Sequence, residues 1–231
     1  MHLRAAVTLL GRFPALAGVD LDVARGEVVL VAGPNGAGKS TLLRVCAGLL
    51  PVSAGEAVVL GHDLRVDPRG VRRRVGLLGH ATGLYDDLSV VDNVRFWARA
   101  NGARPADVDE ALETMGLAGR LAKVEVHRLS AGQRRRTALA VLLARRPELW
   151  LLDEPHAGLD AAGRDLLDGL VTGAALAGAT VLLSSHELDR AAALAHRRVT
   201  IAGGRIAARS DGDAAPPAAP TRAAVEVPGV P

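Results

Sequence analysis

The sequence predicts an α/β domain built on a mainly parallel sheet, and three observations carry that prediction. Val28 to Ala32, Leu149 to Leu152 and Thr180 to Ser184 are runs of strand length dominated by apolar residues, as expected for strands covered on both faces. The first leads straight into a glycine loop and a helix, and the other two each follow a helical segment. That alternation builds parallel sheets. A chain of 231 residues, 49% of them apolar, is long enough to bury a sizeable core.

Each element follows in order. Val19, Leu21 and Val23 alternate with Asp20 and Asp22, so the first 30 residues read as half-buried strands, closed by a turn at Arg25-Gly26-Glu27. The helix after the glycine loop spans Lys39 to Ala47 and is stopped by Gly48 and Pro51. Val75 to Leu78 reads as a further strand. A stretch of different character, about 81–145, is expected to be a helical subdomain inserted into the α/β core. Ser89-Val90-Val91-Asp92 has capping-box spacing ahead of a helix carrying Val94, Phe96, Trp97 and Ala98, and a second helix follows Pro105. Val199 to Ala202 and Arg205 to Ala208, joined by Gly203-Gly204, read as a hairpin. The domain is expected to cover 1–208, and the Pro/Ala-rich segment 209–231 to be a disordered tail.

Composition narrows the function classes. The longest uncharged stretch, Gly169 to Ser185, has 17 residues and is interrupted by Gly173 and Gly178, short of the roughly 20 a spanning helix needs. It reads as a helix ending near Gly178 and a buried strand, so direct membrane insertion is not expected. The N-terminal Met-His-Leu-Arg lacks the apolar core of a signal peptide, and a cytoplasmic location is expected. Net charge is only +3, and Lys39 and Lys123 are the only lysines among 28 basic residues. The arginine clusters at 72–74, 134–136, 145–146 and 197–198 have no interleaved aromatics. They read as a solvated face, and nucleic acid is not an expected partner. Cys46, the single cysteine, lies in an apolar helix pattern and reads as core in a reducing compartment.

Gly33-Pro34-Asn35-Gly36-Ala37-Gly38-Lys39-Ser40 fits G-x-x-x-x-G-K-[ST], with a buried strand before it and a helix after. Gly33, Gly36 and Gly38 let backbone N–H groups turn inward around a triphosphate, and the helix dipole favours the same anion. Asn35 and Thr41 complete the nucleotide-binding segment. Lys39 is placed to reach the β and γ oxygens, and the Ser40 hydroxyl to ligate Mg²⁺.

The strand Leu149 to Leu152 ends in Asp153-Glu154, and strand ends of open α/β sheets are where ligands sit. Asp153 is expected to hold Mg²⁺, and Glu154 to polarise the attacking water as general base. His186, at the end of the strand Thr180 to Ser184, is expected to contact the γ-phosphate.

With these pieces in place the chain resembles the nucleotide-binding subunit of an ABC transporter over about residues 1–208. Leu129-Ser130-Ala131-Gly132-Gln133 resembles the signature usually written LSGGQ, and Ala157-Gly158-Leu159-Asp160 the D-loop. The resemblance implies a P-loop cassette with an antiparallel β subdomain and an inserted helical subdomain. It implies an ATPase that pairs head to tail with a second copy, so that Ser130, Gly132 and Gln133 of one cassette close over ATP held by the other. It further implies Asp160 as a link between the two sites, an integral membrane partner, and a peripheral position on the inner face of the cell membrane. Leu84 and Tyr85, just after His80, are candidates for the surface that receives that partner.

Three departures sharpen the resemblance. His80 stands where the family places the glutamine of its Q-loop. Leu10 falls where an aromatic stacks on adenine, leaving Phe13 as substitute, and His156 follows Pro155 where a small hydroxyl residue is common. Leu78-Gly79-His80, Leu129 to Arg136 and Leu149 to Pro155 together resemble the haem exporter ATP-binding subunits of cytochrome c maturation. The alternatives are the ATPase of another small exporter, for drugs, lipids or polysaccharide, and a soluble ABC-type ATPase outside transport.

Overall fold

The structure is a computed structural model and describes residues 1–211, with side chains described through 208. The chain begins with β1 (His2–Leu10) and β2 (Phe13–Asp22), followed by β3 (Val28–Ala32) and α1 (Lys39–Cys46). Next come β4 (Ala54–Val59), β5 (His62–Asp63) and β6 (Val75–Leu78), then α2 (Val90–Ala100), α3 (Pro105–Thr114) and α4 (Ala131–Arg145). The chain continues through β7 (Leu149–Asp153), α5 (Ala161–Leu176), β8 (Thr180–Ser184), α6 (Leu188–Leu194), β9 (Arg197–Ala202) and β10 (Arg205–Asp211).

Among the described residues, one sheet has the order β10-β9-β3-β8-β7-β6 and is parallel except at β10; the other, antiparallel, has the order β2-β1-β4-β5. The apolar runs of the parallel strands divide by parity between two cores. Val28, Leu30, Trp150, Leu152, Val181 and Leu183 pack into the core shared with α2 to α6. Val29, Val31, Leu149, Leu151 and Leu182 pack into the core shared with α1 and the antiparallel sheet. Both faces are covered, so no polar alternation is needed. Each fully buried leucine or valine contributes roughly 1.5–3 kcal/mol.

The uncharged stretch is α5 followed, after Gly178, by β8, and among the described residues no helix is long and apolar enough to cross a membrane. Within the inserted segment, Ser89 caps α2 by accepting from Asp92 N–H, and Val90, Val94 and Ala98 bury one face of it. Pro105 opens α3.

Two features depart from the sequence expectation. Strands β4 and β5 had no clear signature, since Gly55 and Glu56 interrupt the first and the second has two residues. At the far end, β10 pairs with β9 as far as Asp211↔Arg197, three residues into the segment expected as tail; residues 212–231 lie outside the described residues.

Candidate functional site

Strand register sets the site. In β8, Ser184 is paired with Val31 of β3 on one side and Asp153 of β7 on the other. The start of the phosphate loop and the first carboxylate are therefore level at one sheet edge, two strand spacings or about 10 Å apart.

The phosphate loop is glycine-dependent at two points. Gly33 has φ +143°, and a Cβ there would meet Ile201 O at 2.2 Å. Gly38, the N-cap of α1, has φ +112° and a Cβ would meet Ala15 O at 2.8 Å. Lys39 is buried, and its Nζ donates to Gly33 O at 2.8 Å and Pro34 O at 3.0 Å. An ammonium has three donors, so one remains for a phosphate oxygen. Asn35 and Gly36 are exposed at the rim, and Ser40 and Thr41 are half-buried in the first turn of α1.

Asp153 is 8% exposed, and its carboxylate accepts from Ser184 Oγ at 2.6 Å. Glu154 adopts φ +49°, in the left-handed region. Its N–H donates to both the carbonyl and the hydroxyl of Ser184, each at 3.2 Å. Its carboxylate turns toward His186: Oε2 accepts from His186 N–H at 2.9 Å, and His186 Nε2 stands 3.4 Å from Oε1. Oε1 is buried and accepts no hydrogen bond among the described residues. Asp153, Glu154 and His186 lie together at one edge of the sheet.

The run Arg134-Arg135-Arg136 corrects the reading of a solvated face. Each arginine reaches a different segment: Arg134 pairs with Asp86 at 2.8 Å, and Arg136 with Asp160 at 2.8 Å. Arg135, 6% exposed, donates to the carbonyls of Gly79, Asp153, Glu154 and Pro155. Burial lowers its pKa from the ordinary arginine value, opposed by the nearby charges of Asp153 and Glu154. In the other clusters Arg74 pairs with Glu148 at the surface, Arg145 donates to Val75 O and Arg197 pairs with Glu27, while Arg72, Arg73 and Arg146 are exposed. The missed signal at Arg135 is periodicity, because it shares a helix face with Ala138, Leu139 and Leu142, all buried.

The signature also differs in detail from expectation. Ser130 Oγ accepts from Gln133 N–H at 3.2 Å, and Gln133 Oε1 accepts from Ser130 N–H at 3.0 Å, a closed capping box. Gln133 is thus engaged locally, and the helix-start N–H groups left for an anion are those of Ala131 and Gly132. Gly132 packs against the D-loop, where a Cβ would lie 3.1 Å from Gly158 O. Asp160 caps α5 by accepting from Gly163 N–H, and its carboxyl is held below its ordinary pKa chiefly by the Arg136 hydrogen bond.

Two histidines, Leu84, Tyr85 and Phe13 complete the account. His80 is exposed and lines a cavity of about 380 Å³ between β6, α1 and α4, with Arg44, Arg72 and Trp97 on its walls; the structure does not bring it into contact with Glu154 or His186. His156 is buried with Nε2 2.8 Å from Asp168. Leu84 packs on the helical core, while Tyr85 is exposed, meets Phe96 edge to face and stacks on Trp97. Phe13 is 74% exposed and pairs across the hairpin with Leu10, two residues before Ala15, whose carbonyl abuts Gly38.

The comparisons with known proteins agree with this geometry. The family model for ABC transporter matches residues 16–157. The chain is similar to the cytochrome c biogenesis ATP-binding export protein CcmA of Mesorhizobium japonicum, 43% identical over 170 residues, covering 73% of this chain and 83% of that one. It is also 44% identical over 207 residues to the daunorubicin resistance ATP-binding protein DrrA3 of Streptomyces coeruleorubidus, covering 86% of this chain and 64% of that one. Among solved structures, a dimeric post-hydrolysis state of the ATP-binding cassette MJ0796 with ADP and Pi superposes with TM-score 0.84 at 25% identity, covering 91% of this chain and 97% of that one. The chain belongs to the ABC transporter family, as an ATP-hydrolysing nucleotide-binding cassette.

Proposed function

We propose that the chain energises a membrane transporter that serves c-type cytochrome maturation. Its likeness to CcmA over 83% of that protein's length carries the reading. The likeness to DrrA3, a daunorubicin resistance ATP-binding protein, favours a second reading, a drug exporter.

In the proposed cycle ATP lies with its phosphates on Gly33 to Thr41 and its adenine against Phe13. The oxygen donors of Ser40 and Asp153 suit Mg²⁺, a hard cation commonly held by one or two carboxylates together with substrate phosphates; bound there, it neutralises charge developing on the transferred phosphoryl group. Glu154 takes a proton from the attacking water through its carboxylate. The water oxygen bonds to the γ-phosphorus as the bond to the bridging oxygen breaks and ADP leaves. His186 orients that water and the γ-phosphate. A second copy supplies Ser130, Gly132 and Gln133 across the site, with Asp160 linking the two halves; the dimeric state of the MJ0796 cassette supports this arrangement. The groove at His80 receives the membrane subunit, which holds the cassette at the inner face of the cell membrane.

Deleting the gene and staining membranes for covalent haem tests the assignment. Loss of stained c-type cytochromes, restored by the wild-type gene but not by Lys39→Ala, is expected. Normal cytochromes after deletion reject the haem-maturation reading and leave the ATPase intact.

A further inference from the structure

We infer that Arg135 is a positioning residue for Glu154, clamping its backbone in the conformation that directs the carboxylate to His186. The inference rests on the reading of Glu154 as general base. The left-handed φ of +49° at Glu154 is disfavoured for a residue with a Cβ, which crowds the following carbonyl oxygen. Such strain persists only where the surroundings over-determine it, and it clusters where geometry serves function.

Three contacts over-determine it here. On the N-terminal side Ser184 holds the Glu154 N–H, and His186 N–H holds the carboxylate. On the C-terminal side the only charged group among the described residues that is engaged with the peptide units of the turn is Arg135. Its Nη2 donates to Asp153 O at 3.0 Å and Glu154 O at 2.5 Å, and its Nε donates to Pro155 O at 3.2 Å. Three successive carbonyls are therefore fixed by one planar group, so neither peptide unit flanking Glu154 turns without breaking a charge-assisted bond. Releasing Glu154 O lets φ relax toward the right-handed region, carrying the carboxylate away from His186.

The choice of residue type supports a geometric task. The guanidinium makes no ion pair among the described residues; its hydrogen bonds go to backbone carbonyls. A fork of rigid N–H groups can span them, whereas lysine offers a single mobile point charge. The fourth bond, Nη1 to Gly79 O at 2.8 Å, ties the same clamp to the residue before His80. The turn carrying the base and the loop lining the groove thus share one side chain.

The test compares Arg135→Lys and Arg135→Gln with Glu154→Gln in the full chain, measuring kcat, KM for ATP, direct ATP affinity and thermal midpoint. Positioning predicts that both Arg135 variants bind ATP within about twofold of wild type while kcat falls at least about 10-fold, since misplacing a reacting group by 1 Å costs up to about 100-fold. Wild-type kcat in both, with Glu154→Gln inactive, overturns the positioning role and leaves the base assignment standing. Undiminished hydrolysis by Glu154→Gln instead removes the base assignment, and this inference with it. Unfolding of both variants, or parallel loss of affinity and kcat, shows a general structural staple and also overturns the proposal.

Discussion

The backbone N–H of His186 donates to Glu154 Oε2 at 2.9 Å while its imidazole Nε2 faces the other carboxylate oxygen at 3.4 Å. One residue thereby holds the carboxylate by its main chain and presents a ring beside the same group. The two tasks are separable, because a side-chain substitution leaves the main-chain bond in place.

His186→Ala is expected to lower kcat by about 100-fold, within the range for a removed acid–base or orienting group, while ATP affinity changes less than about twofold. Single-turnover hydrolysis with saturating ATP checks it. Equal losses in affinity and rate would show that the ring binds ground-state nucleotide instead.

Lys39→Ala removes a buried ammonium that spans Gly33 O and Pro34 O. A hydrogen bond to a charged group is worth about 1.5–3 kcal/mol, so ATP affinity should fall at least about 10-fold by calorimetric titration. Unchanged affinity counts against the phosphate role.

Ser184→Ala deletes the hydroxyl that donates to Asp153 and accepts from Glu154 N–H. Glu154 N–H keeps its bond to Ser184 O, but leaving the buried Asp153 carboxylate short of a donor should cost about 1–3 kcal/mol of stability, read by denaturant titration. A midpoint equal to wild type would mean that water replaces the hydroxyl fully.

Burial pushes the Cys46 thiol up to about 12, because desolvation disfavours the thiolate. At pH 8 the folded protein should therefore resist a disulfide-exchange reagent and react only on unfolding. Rapid labelling of the native protein would contradict the burial.

The Arg104 hydrogen bonds hold the Asp107 carboxyl down to about 2. A depressed acid contributes stability that is complete above its unfolded value and disappears as pH falls toward the folded value. Between about pH 4 and about pH 2, wild type should lose thermal midpoint faster than Asp107→Asn; parallel curves would show the pair contributes nothing.

Much of the site was legible in the sequence because its chemistry is local. Gly33 to Ser40, Asp153-Glu154 and Ser130 to Gln133 are short segments whose residue types are dictated by a phosphate, a cation and a helix start. Arg135 was not legible as a ligand of the turn. A triple arginine looks alike on a solvated and a buried face until the partner carbonyls are placed, although its spacing to Leu139 and Leu142 puts it on the apolar side of α4. His80 likewise departs from the family's residue in the sequence, but its position in an open groove depends on how α1 and α4 stand beside β6.

By itself the sequence determined the parallel strands, the phosphate loop, the helix caps and the acidic strand end. Each depends on periodicity or on contacts within a few residues. Tertiary structure alone decided the level of Val31, Ser184 and Asp153 across three strands, the left-handed turn at Glu154, and the convergence of four carbonyls on Arg135. Those depend on strand register and on segments as far apart as Gly79 and Pro155, which only the packed core brings within hydrogen-bond reach.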